Sequence, residues 1–87
     1  MADQRLKTKI ESVLRKAYFT DASDYVDVSF GDDGEVHVVV VSRKFDGMRL
    51  KQKHDLIWGA LTAGLKPREW QQITLSIGKS PDEIKAS

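Results

Sequence analysis

Five cations, Arg43, Lys44, Arg49, Lys51 and Lys53, fall within eleven residues of an 87-residue chain whose formal net charge is only +1. Crowded together they make a local positive patch, and the chemistry open to such a patch is contact with phosphate backbone. Asp46 and Asp55 are the acids that oppose it. Arg49 and Lys53 stand four apart and are predicted to share one solvent face of a helix. The first N–H groups of that helix also suit an anion. The competing reading is an ordinary solvated charged face. Only two His occur, His37 and His54. His54 lies in an apolar helical stripe, so its ring is expected to pack toward the sheet rather than act as a ligand. Asp32 and Asp33 are adjacent carboxylates with no partner base. There is no Ser-His-Asp spacing, no HExxH and no P-loop. The absence of Cys removes disulfides, thiolate nucleophiles and thiolate metal sites together. No enzyme, metal or cofactor is expected.

The elements that must carry these residues are legible in the hydrophobic period. Leu6, Ile10, Val13, Leu14 and Ala17 form one helical stripe, core-facing because its polar face has mixed charge. Thr20–Asp24 reads as an exit loop. Tyr25–Phe30 alternates, with Val26, Val28 and Phe30 inward, and Glu35–Ser42 returns with Val36, Val38 and Val40 inward. Gly31-Asp32-Asp33-Gly34 spells the GxxG of nucleic-acid-binding loops, yet it joins two strands and its acids would repel phosphate. It is a hairpin turn. From Met48 to Gly64, the residues Leu50, His54, Ile57, Trp58, Leu61 and Leu65 are predicted to form a second stripe. Gly64 is the expected C-cap and Pro67 the stop. Gln72–Ile77 alternates again, with Ile73, Leu75 and Ile77 predicted inward. Ser80-Pro81-Asp82-Glu83 opens a short last helix with an N-cap, a first-position Pro and first-turn acids. Trp58 is expected at the core edge, and Trp70 over the sheet edge rather than as an anchor for a partner.

The order α-β-β-α-β-α specifies an α+β sandwich, with helices on one face of a three-stranded mixed sheet. A right-handed parallel crossover should join the second and third strands. One domain is expected over 1–87, with a core over about 4–78 and a last helix over about 81–86. No apolar h-region opens the chain and no apolar run is long enough for a membrane, so a cytoplasmic protein without membrane contact is expected.

Val41-Ser42, Phe45, Gly47, Lys53-His54 and Leu61 together resemble the centre of the BolA-like family. There a Val-rich strand ends in Val-Ser and is followed by a Phe-x-Gly turn and a helix bearing a basic residue before His. The family motif here is thus Ser42, Phe45, Gly47 and His54. The resemblance implies a fold similar to class II KH domains. It implies one of two roles: stress-linked transcriptional regulation through nucleic-acid contacts, or pairing with a monothiol glutaredoxin around a shared [2Fe–2S] cluster. The second role uses a His at the start of the last strand, where this chain has Ile73, or Gln72 if the register slips by one. It often uses a Cys or His in the loop between the first strands as well, and Gly31–Gly34 has neither. The first expectation is therefore a regulatory module binding nucleic acid, with outward strand residues beside bases or backbone. The alternative is an adapter for a monothiol glutaredoxin without cluster ligation.

Overall fold

The computed structural model describes residues 4–86, so the outermost residues of the domain expected over 1–87 lie outside the described residues. Helix α1 (Gln4–Ala17) leads through Phe19 into strands β1 (Tyr25–Phe30) and β2 (Val36–Val41). A 3-10 turn, η1 (Arg43–Phe45), precedes helix α2 (Leu50–Gly64). The one-turn helix α3 (Pro67–Trp70), strand β3 (Ile73–Lys79) and helix α4 (Pro81–Ala86) complete the chain. The sheet order is β1-β2-β3, with β1 antiparallel and β3 parallel to the central β2. This is the expected mixed sheet in an α+β domain.

Packing follows the alternation in β1 and β2. Val26, Val28, Val36, Val38 and Val40 are buried against Leu6, Ile10 and Leu14 of α1 and Ile57, Ala60 and Leu61 of α2. Ala17, read as part of the first stripe, is exposed. Helix α3 escaped the sequence reading because one turn is too short to show a period. Pro67 both stops α2 and occupies the first turn of α3, where its missing N–H costs nothing. Gly64 does not cap α2 in a left-handed conformation, since among the described residues only Gly34 and Gly47 have positive φ. Its function is clearance: a Cβ there would meet Val13 Cγ1 at 2.6 Å where α1 crosses α2.

Strand β3 departs from simple alternation. Val36 pairs with Ile73 but His37 pairs with Leu75, so Thr74 is an extra residue, a β-bulge. One inserted residue exchanges the two faces for everything after it. Leu75 and Ile77, predicted inward, therefore point away from the helices, and Ser76 and Gly78 point toward them. The exchange has a packing reason. Trp58 Nε1 donates to Ser76 Oγ at 2.9 Å. Gly78 lies beneath Phe45 and Ile57, where a Cβ would stand 2.9 Å from Phe45 Cζ. Only small inward residues fit under those three large side chains. Trp70 meets Trp58 edge-on at 6.1 Å and packs against the core, as expected of a residue closing the sheet edge.

Candidate nucleic-acid interface

The end of β2 is locked before it turns into the basic segment. Ser42, 1% exposed, donates its hydroxyl hydrogen to Asp24 Oδ1 at 2.7 Å, and its oxygen accepts from the Lys44 N–H at 3.1 Å. Asp24, itself buried, accepts from the Asp21 N–H through Oδ2. The Val-Ser pair thus ties the entry of β1 to the exit of β2 and caps η1. Asp24, read from sequence as part of an exit loop, is the missed half of this lock. The signal for it was only a carboxylate just before a strand. Phe45 then drops into the core beside Phe19, with ring centroids 5.4 Å apart. Gly47, with φ of +74°, reverses the chain into α2 at an angle an L side chain resists.

This local structure holds Arg43, Lys44, Arg49 and Lys51 exposed at one end of the molecule. Two of the four are committed. Arg43 lies 3.7 Å from Asp46, and Lys51 pairs with Asp55 at 2.9 Å. These are exposed pairs of the kind worth little in water. Lys44 and Arg49 have no ion pair among the described residues. Asp21 sits below its ordinary value, held there first by the Ser23 N–H, then by the Ser23 hydroxyl, and least by the charge of Lys44. The backbone of Lys79 ends β3 beside Ser42, its carbonyl accepting from the Ser42 N–H at 3.0 Å, while its exposed side chain stands on the helix-free face. Sequence reasoning missed Lys79 because a parallel neighbour far along the chain leaves no local pattern.

Lys53 corrects the predicted shared face. Its side chain is 8% exposed, and its Nζ is paired with Glu83 Oε1 of α4. The inward positions of α2 are Lys53, Ile57, Ala60 and Leu61, not Leu50 and His54. Ile57, Leu61 and Leu65 of the predicted stripe are buried as expected, but its centre shifts by less than one residue step toward Lys53 and Ala60. Leu50 is 80% exposed, and His54 is exposed with its ring 5.9 Å from that of Trp58. The reason is the long stem of Lys53, which lies along apolar surface while its ammonium reaches an anion. Glu83 is fixed for that task by the predicted N-cap of α4. Its Oε1 also accepts from the Ser80 N–H at 3.0 Å, and its own N–H donates to Ser80 Oγ at 3.2 Å.

On the helix-free face stand Asp27, Val39, Val41, Leu75 and Ile77, together with Tyr25, Ser29, His37 and Lys79, whose ring, hydroxyl, imidazole and ammonium are the groups there suited to a base or a phosphate. The two His do not assemble an iron site. His37 faces out from β2, 3.5 Å from Glu35, whereas His54 stands on the helical layer across the sheet. No cluster of three or more metal-binding side chains occurs among the described residues. With Ile73 buried at the start of β3 and no thiolate in the chain, the donors do not fit a [2Fe–2S] cluster. Among the described residues no helix is long and apolar enough to cross a membrane.

Together these features define the BolA-like fold. The chain superposes on the structure of a BolA protein homologue from Coxiella burnetii with a TM-score of 0.58 and 22% identity, covering 98% of this chain and 99% of that one. No family model matches the sequence, and no curated protein does.

Proposed function

We propose that this protein is a non-enzymatic regulatory module of BolA type that holds nucleic-acid backbone against the end formed by η1 and the start of α2. The observation carrying the reading is the cluster of exposed cations fixed there by the Ser42–Asp24 lock and the Gly47 turn. Lys44, Arg49 and Lys79 are free of ion pairs among the described residues, and Arg43 and Lys51 exchange weak exposed pairs for phosphate. Lys53 is excluded, because leaving Glu83 would strip a nearly buried charge of its partner. Binding of this kind is sequence-tolerant and weak, about 10⁻⁴–10⁻⁶ M, and falls with salt.

The test is titration of duplex and single-stranded DNA at several salt concentrations. Lys44→Ala and Arg49→Ala should each reduce the salt slope by about one. Lys53→Ala should leave the slope unchanged while lowering stability. Absence of binding at low salt, or a slope altered by Lys53→Ala and not by Arg49→Ala, overturns the assignment.

A further inference from the structure

We infer that the ligand held at the η1 end is single-stranded nucleic acid, DNA or RNA, and that Tyr25 is the ring on which one of its bases stacks. The inference deepens the phosphate-binding reading above and rests on it. Tyr25 opens β1 directly after Asp24, whose carboxylate holds Ser42, so its backbone is fixed at the end from which the cations project. It is 53% exposed. The other aromatic rings are engaged within the fold. Phe19 meets Phe45, Tyr18 lies edge-on to Phe19, Trp58 meets Trp70, and Phe30 packs against the core. Among the described residues Tyr25 has no ring partner, no side-chain hydrogen bond and no place in the core. Every base has a π-face, so a free ring beside a cationic track accepts whichever base is exposed to it.

The charges around the ring fix where the backbone of such a strand runs. Tyr25, Val41 and Lys79 form the row of the helix-free face nearest η1. Lys79 stands two strands from Tyr25, about 10 Å away, with partly exposed Val41 as an apolar floor between them. Lys44 stands beside the loop that leads into Tyr25, near enough for its charge to act on Asp21. Phosphates flanking a base on this ring thus have two ammonium groups within reach, and neither lysine has an ion pair among the described residues. Carboxylates bound the track. Asp27 lies about 7 Å further along β1, and Glu35 lies beyond it beside His37. Both repel phosphate, which confines the backbone to the first row and leaves the imidazole of His37 outside it. At the end itself the acids are Asp21 near Lys44, Asp46 against Arg43 and Asp55 against Lys51, so Arg49 and Lys79 stand unopposed. A duplex keeps both faces of each base within its own stack. It can use the cations but not the ring.

The test titrates the full chain with short oligothymidylate and oligouridylate, with the same strands lacking their bases, and with a duplex of equal length, at several salt concentrations. The wild type should bind a base-bearing strand about tenfold or more tighter than its abasic counterpart. Tyr25→Ala should lose that margin, while its salt slope and its duplex affinity stay those of the wild type. Tyr25→Trp should keep the margin, and Tyr25→Leu, apolar but without a π-face, should not. Circular dichroism verifies the fold of each variant. A margin seen with only one of the two sugars supports the inference and names the strand as DNA or RNA. A margin that survives in Tyr25→Ala overturns the stacking role. Equal affinity of the wild type for base-bearing, abasic and duplex probes overturns the single-stranded ligand but leaves the phosphate-binding reading standing. Absence of binding to every probe at low salt overturns both.

Discussion

A lysine with only 8% of its side chain exposed must keep an anion beside it or give up its charge. Lys53 keeps Glu83, and the effect is written on the acid. Glu83 titrates at about 2 instead of 4.5, held down first by the Lys53 ammonium and then by the Ser80 N–H. Because the folded value lies below the unfolded one, the stabilisation is complete above about pH 4.5. It is lost as the pH falls toward 2. Urea midpoints measured from neutral to acid pH should therefore drop through this window. Glu83→Gln should begin lower at neutral pH, since Lys53 loses its anion, and should show a shallower acid decline. A decline as steep in Glu83→Gln as in the wild type would assign the acid sensitivity to Asp21 and Glu69, whose carboxyls are also lowered.

At the scale of the element, α2 keeps the predicted Ile57 and Leu61 inward but replaces Leu50 and His54 by Lys53 and Ala60, and β3 exchanges its faces after Ile73. In α2 the difference is measurable by truncation. Leu50→Ala should change stability by no more than about 0.5 kcal/mol, because an 80% exposed side chain gives up almost no packing. Ile57→Ala, at a position 1% exposed, should cost about 2–5 kcal/mol. Equal losses in urea denaturation would restore the stripe through Leu50 and His54. The period of α1, β1 and β2 was readable because each inward residue there is apolar, whatever it packs against. Two kinds of contact were not readable. The Lys53–Glu83 pair joins residues thirty apart, and a basic side chain at a core position looks like surface. The Thr74 bulge answers to Trp58, Phe45 and Ile57 above the strand, so alternation alone carried no warning of it. The small inward residues Ser76 and Gly78 were its only local trace.

At the scale of the whole molecule, the sheet divides the two imidazoles. His37 stands on the open face and His54 on the exposed side of the helical layer, so no single iron can take both. A His54 packed into the core would be out of reach of iron, but its ring is exposed. What remains is the donor count. A [2Fe–2S] iron is held by thiolates or imidazoles, and the chain has two His on different layers and no Cys, so each region offers one imidazole without a second imidazole or thiolate. The alkyl chain of Ile73 and the neutral amide of Gln72 supply no substitute at the start of β3. Mixing this protein with a cluster-loaded monothiol glutaredoxin should thus leave the visible absorption and circular dichroism of the cluster essentially unchanged. Exposed His54 makes the control sharp, because its replacement disturbs little packing. A new spectrum that persists through gel filtration and vanishes in His54→Ala, or in His37→Ala, would show that one imidazole suffices. The protein would then belong with cluster-sharing adapters rather than with phosphate-binding modules.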